Sequence, residues 1–183
     1  MVRNPENIGL HRNLFAALRG ATGRWTWAIS DDDILRPGLV AHVVDLLQEN
    51  PDLSELYLNH RGIDADGRVV VEQFIDASLT GRVEDGMVGW SHHLQLDFSS
   101  LLLMTAVIMR SEYARRAIDT WRGPSDNWGV FGFITGHVAM RGPIYFTPEV
   151  QIDCPANTSR SSVSLLMFWF EKISVRSVPV YSG

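Results

Sequence analysis

Residues 101–109, Leu-Leu-Leu-Met-Thr-Ala-Val-Ile-Met, are apolar except for one threonine. A run this short with no polar face fits a strand covered on both sides, and a buried helix segment carries the same signature. Either way, the rest of the chain must supply a layer on each side of it. Leu10, Leu14, Phe15, Ala17 and Leu18 recur at helical spacing, with Asn7 as the expected cap and Gly20 and Gly23 as the stop. A second helix is predicted over residues 37–49, with Pro37 in its first turn, an apolar face of Leu39, Val40, Val43, Val44, Leu46 and Leu47, and a stop at Asn50-Pro51.

Strands are predicted between and after these helices. Residues 24–30 are aromatic and β-branched, residues 53–59 are apolar, and the Asp66-Gly67 turn leads into residues 69–74 as a hairpin-like excursion. Residues 75–89 read as a loop or a short helical segment. Ser111 opens a helix to about Trp121, and Gly123-Pro124 breaks the chain. A further helix runs from about Trp128 to Met140, and residues 144–150 form a last strand. Alternating helices and two-sided strands predict an α/β domain with a mainly parallel sheet flanked by helices.

With 183 residues and 45% apolar side chains, the chain can bury one proper core, which excludes disorder as its main state. Sixteen Lys and Arg against 21 Asp and Glu leave a net charge of −5, a balance that argues against a nucleic-acid partner. A single cysteine, Cys154, allows no internal disulfide and no zinc site built on two thiolates, so a reducing compartment is expected. The first residues contain no apolar signal segment, and no apolar run approaches the ~20 residues of a membrane span.

The strand at residues 24–30 runs directly into Asp31-Asp32-Asp33. Ligands of open α/β sheets bind beyond the carboxyl ends of the strands, which is where this triplet falls. Three adjacent carboxylates need donors, solvent or a cation to stay charged. Mg2+ or Mn2+ meets that need with one or two protein carboxylates plus substrate phosphates. The bland alternative is that the triplet only caps the next helix and favours its positive end.

Asn7-Ile8-Gly9, Asn13, Ala21-Thr22-Gly23, the strand at residues 25–30 and Asp31-Asp32-Asp33-Ile34-Leu35-Arg36-Pro37-Gly38 occur in an order and spacing that resemble the inverting family 2 glycosyltransferases of GT-A fold, especially abequosyltransferase-like members. The resemblance implies a nucleotide-sugar donor, a sugar or lipid-linked hydroxyl acceptor, and a divalent metal (Mn2+ or Mg2+) holding the donor diphosphate. Read directly, Asp31 and Asp33 form Asp-x-Asp as metal ligands. In the register that aligns Asp32, Asp33 and Pro37, Ser30 replaces the first Asp; Asp31 and Asp32 are both placed at the cofactor, and Asp33 in direct metal contact. Asn7, Gly9 and Asn13 correspond to the segment near the nucleotide, where a helix N-terminus also suits phosphate; otherwise they cap a surface helix.

Inversion requires a base for the acceptor hydroxyl, and Asp126 in Ser125-Asp126-Asn127-Trp128 is the candidate, with a helix N-cap as its alternative role. Trp90 or Trp128 either stacks on a sugar or fills the core. The resemblance also implies bacterial surface-polysaccharide synthesis on the cytoplasmic side, at or near the inner face of the membrane.

The family's opening strand, helix and acidic second strand have no counterpart before Asn7, so the chain reads as an N-terminally truncated GT-A domain over residues 1–160, with residues 161–183 as a helix or tail packed on the domain or a partner. Weak metal-dependent nucleotide binding with little turnover is the matching expectation. The other class of reading is a non-catalytic binding domain, or a fragment completed by a homo-oligomer or a partner chain at an exposed sheet edge.

His92 and His93 would point apart on a strand, and His137 is the better histidine for a site, although a structural role is the commoner one. Residues 62–73 fail as a calcium loop because Gly62 and Gln73 occupy its ligand ends. Cys154 has no nearby His in sequence, against a catalytic thiol. Asn157-Thr158-Ser159 matches a glycosylation acceptor without evident access to that machinery.

Overall fold

The computed structural model describes residues 4–97, 100–124, 127 and 129–156. Among these residues, five helices, α1 (Leu10–Gly20), α2 (Leu39–Glu49), α3 (Gly86–Leu96), α4 (Ser111–Thr120) and α5 (Gly129–Ala139), surround one sheet. Its strands are β1 (Trp25–Trp27), β2 (Ile34–Leu35), β3 (Glu55–Ile63), β4 (Val69–Val71), β5 (Gly81–Val83), β6 (Val107–Arg110) and β7 (Ile144–Pro155). The order is β1-β6-β3-β7-β2, with β4 added to β3 and β5 to β7. None of the described helices is long and apolar enough to cross a membrane.

The sheet corrects the expectation of mainly parallel strands. Among the described residues only β3 and β7 pair in parallel; the other five pairings are antiparallel. Burial on both faces, the property taken to indicate a parallel sheet, comes instead from helices on both sides. Successive residues of β3 and β6 alternate between two cores. Tyr57, Val107 and Met109 face α1, α3, α4 and α5 through Leu18, Trp90, Ala117 and Ile134, whereas Leu56, Leu58 and Ile108 face α2 through Leu39, Val43 and Leu47.

The apolar run at residues 101–109 is not one strand. It makes two 3-10 turns, Ser100–Leu102 and Met104–Ala106, before β6 begins at Val107. Its polar member, Thr105, is fully buried and turns both its hydroxyl and its carbonyl to the chain leaving β1. Those groups serve a crossing segment rather than a strand ladder, which accounts for the irregular backbone.

Other boundaries shift for local reasons. Gly9, at φ 81, precedes α1, and Asn7 sits two residues further out, so Asn7 is not the helix cap. Pro37 lies before α2, whose cap is left-handed Gly38 at φ 84. The expected strand at 24–30 shortens to three residues, and that at 53–59 extends to Ile63. Residues 75–89 hold a 3-10 turn (Ala77–Leu79), β5 and the start of α3, so His92 and His93 lie on a helix rather than a strand. The hairpin of β3 and β4 forms as expected, with Asp64 Oδ1 accepting from the amides of Asp66 and Arg68 at 2.9 and 2.8 Å. The segment at 161–183 and the Asn157-Thr158-Ser159 acceptor lie outside the described residues.

One core residue opposes the fold. Glu55, at the start of β3, is 0% exposed; its Oε2 accepts from the Tyr57 hydroxyl at 3.0 Å, and its Oε1 has no partner among the described residues. Burial pushes its pKa well up, only partly offset by the Tyr57 bond. A raised carboxyl pKa means that the fold prefers the protonated form. The contribution to stability is therefore complete below the ordinary value of 4.5 and declines as pH rises toward the folded value. Glu55→Gln removes the ionisation and is expected to stabilise the chain at pH 8 by about 1–2 kcal/mol, a few degrees in Tm, and by much less at pH 5. Melting curves of both proteins at the two pH values test this; an equal shift at both would show that ionisation is not the cause.

Candidate functional site

β1 and β2 lie seven residues apart in sequence and at opposite ends of the strand order. Four inter-strand steps of about 4.8 Å separate them by about 19 Å in a flat sheet. Seven residues reach at most about 25 Å. Residues 28–33 are therefore drawn across the sheet from the carboxyl end of β1 with little slack, and the aspartate triplet is the last half of that crossing. β2 then pairs with β7, setting Ile34 against Asp153 and Leu35 against Ile152.

Thr105 holds this crossing. Its carbonyl accepts from Trp27 Nε1 at 2.8 Å, and its hydroxyl oxygen accepts from the Ser30 amide at 2.9 Å. The Ser30 hydroxyl in turn donates to Asp32 Oδ1. Asp31 and Asp32 are exposed, whereas Asp33 is half-buried. Burial raises the Asp33 pKa, a hydrogen bond from the Thr105 side chain lowers it, and the neighbouring Asp32 charge raises it again. Asp33 Oδ2 is shielded from solvent and has no partner among the described residues.

A shielded, partnerless carboxylate oxygen next to a second carboxylate is the donor that a hard cation completes. The residues present thus fit Mg2+ or Mn2+ in the form those ions use with phosphates, one or two carboxylates and the rest from outside the protein. They do not form a complete protein cage: among the described residues no three His, Cys, Asp or Glu side chains converge on one ion position. Cys154 is no alternative ligand or nucleophile, since its Sγ donates to the Arg61 carbonyl at 3.3 Å and burial, with Asp33 nearby, pushes the thiol pKa up to about 11.

Asn7, Gly9 and Asn13 do come together. With Asn4, Glu6, Ile8 and Leu10 they line a cavity of about 240 Å³ at the start of α1. Asn7 Oδ1 accepts from the Gly9 amide at 2.9 Å, and Asn4 Nδ2 donates to Asn13 Oδ1 at 3.0 Å. Gly9 caps α1 without a side-chain hydrogen bond. The cavity shares no lining residue with the aspartate triplet.

Trp90, His93 and His137 have partners of their own in the fold. Asp126 and Trp128 lie outside the described residues; Asn127, between them, accepts from the Gly129 amide at 2.8 Å at the start of α5. Trp90 is a core residue, packed against Gly136 and donating to Thr135 Oγ1 at 3.0 Å. His137 lies tilted against Phe133, 5.8 Å between ring centres, and takes a bond from Arg141 at 2.9 Å. His93 is buried, with its Nε2 2.6 Å from Ser100 Oγ. Thr105 is the site residue that sequence reasoning missed, and its signal was present as the lone polar side chain of an apolar run.

The family model described as Glycosyl transferase family 2 matches residues 1–95, just over half of the 183-residue chain. The match includes the cavity, the crossing and all three aspartates. No curated protein matches the chain.

Proposed function

The chain belongs to glycosyl transferase family 2, and from that premise we propose that it moves a sugar from a nucleotide-sugar donor to a hydroxyl acceptor, with inversion. The observation that carries the placement of the donor is the shielded, partnerless Oδ2 of Asp33 at the end of the crossing. Asp33 with Asp31 would hold Mn2+ or Mg2+, and Asp32 would flank it. A bound divalent ion neutralises the donor diphosphate and the charge that grows on it as it leaves. Asn7, Gly9 and Asn13 would receive the nucleotide part of the donor in the α1 cavity.

In the transfer, the acceptor oxygen forms a bond to the anomeric carbon on the face opposite the nucleotide. The bond from that carbon to the diphosphate oxygen breaks, and the nucleoside diphosphate leaves with the electron pair. The acceptor proton passes to a carboxylate, for which Asp126 is the proposed base. Bacterial surface-polysaccharide synthesis, on the cytoplasmic side at or near the inner face of the membrane, is the setting that the sequence resemblance supports.

Calorimetric titration with UDP-, GDP-, CDP- and dTDP-sugars, with and without Mn2+, tests this. At least one donor is expected to bind only with the metal, and Asp33→Asn to weaken that binding about 10-fold or more. The same substitution removes a carboxylate that burial and Asp32 both disfavour, so Tm is expected to hold or rise. Metal-independent binding, or an Asp33→Asn protein that binds as tightly as the parent, would overturn the reading.

A further inference from the structure

We propose that Thr105 is a positioning residue for the aspartate triplet, fixing its approach through the hydroxyl that holds Ser30. Two hydrogen bonds reach this one residue, one from the end of β1 and one from the residue just before the triplet. Trp27 Nε1 donates to its carbonyl, the Ser30 amide donates to its hydroxyl oxygen, and the Ser30 hydroxyl donates onward to Asp32 Oδ1. Ser30 thus joins the buried Thr105 hydroxyl to the triplet, donating through its amide on one side and through its hydroxyl on the other. Thr105 is 0% exposed, and its flanking residues Ala106 and Val107 are buried in the two cores, so the hydroxyl stands on a rigid base.

The need for such a residue follows from the path of the chain. Residues 28–33 have only the short strands β1 and β2 as anchors, one at each edge of the sheet. Without an internal tie, two like charges at Asp32 and Asp33 would push the segment toward solvent. The tie comes from far along the chain, beyond the matched residues 1–95. Thr105 would not itself touch metal or donor; it would set where Asp33 presents its free oxygen, as partners of metal-binding carboxylates generally do.

The inference rests on the reading of Asp33 as a metal and diphosphate ligand, and three variants separate the two. Thr105→Val keeps the shape and removes the hydroxyl, Thr105→Ser keeps the hydroxyl, and Asp33→Asn reports on the ligand. The readouts are the Mn2+ dissociation constant of the full chain, measured by the paramagnetic resonance of free Mn2+, and amide hydrogen exchange over residues 28–33. Thr105→Val is expected to weaken Mn2+ binding about 10-fold and to speed exchange in that segment while the rest of the sheet stays protected. Thr105→Ser is expected to restore both. Parental Mn2+ affinity in Thr105→Val overturns the inference, whether or not exchange changes, and so does a Thr105→Ser protein as weak as the valine variant. Equal Mn2+ affinity in the parent and Asp33→Asn overturns the ligand reading instead.

Discussion

Asn59→Ala is expected to cost about 3–5 kcal/mol of folding stability, because one buried side chain satisfies four backbone groups. Asn59 is 1% exposed, on β3 where the register with β7 shifts on both sides of it. Its Oδ1 accepts from the amides of His60 and Ile75 at 2.9 and 3.1 Å. Its Nδ2 donates to the carbonyls of Ile75 and Pro148 at 3.3 and 3.2 Å. The side chain thus fills the irregularity in the ladder and ties the segment before the Ala77–Leu79 turn to β7. Alanine leaves those groups in an interior that water does not reach, at about 1 kcal/mol or more for each. An ordinary domain has only about 5–15 kcal/mol in total. Urea unfolding at neutral pH gives the measurement, and a loss below about 1 kcal/mol would mean that water or backbone movement replaces the side chain.

Asn59 also marks where sequence reading stops. Its partners come from a loop and from the far strand, and nothing in residues 53–59 distinguishes this asparagine from a turn residue. The same limit applies at α3. Its packing face includes Gly86 and Gly89, and a Cβ at Gly86 would stand 2.3 Å from the carbonyl oxygens of Ala139 and Gly142. A helix that buries glycines against its neighbours shows no apolar stripe, so residues 75–89 read only as a loop or a short helical segment and His93 as a strand residue. By contrast, α2 presents Leu39, Val43 and Leu47 at clean helical spacing and was legible almost to the residue. The aspartate triplet was legible for a related reason, since its meaning lies in local order: a strand, three carboxylates, then a helix. What the sequence order did not reveal is that β2 follows the triplet at the opposite edge of the sheet, so that the triplet spans the sheet rather than merely capping α2.

Acidification from pH 7 to pH 4 is expected to remove roughly 6 kcal/mol of stability through two buried histidines, enough to unfold the chain. His60 stacks on Phe74 at 4.6 Å with its Nδ1 3.3 Å from the Leu58 carbonyl. His93 lies against Tyr57 and Phe146, at 5.6 and 5.4 Å, and its Nδ1 has no partner among the described residues. Burial holds each pKa down to about 4 against the raising charge of Asp97, with His60 and His92 adding to the lowering at His93. The unfolded chain titrates near 6.5, so between these values it binds protons that the folded chain refuses. The stabilising contribution is complete above about pH 6.5 and is lost as pH falls through about 4. At about 1.4 kcal/mol per pKa unit, each histidine accounts for about 3 kcal/mol. Glu55 acts in the opposite direction over part of this range, because its cost disappears as it protonates. The profile is therefore best measured by urea unfolding in the Glu55→Gln background, from pH 8 to pH 4. A steep decline below pH 6.5 is expected there, with His93→Gln removing about half of it. A urea midpoint that stays level from pH 7 to pH 4.5 would show that these two rings take up protons without leaving the core.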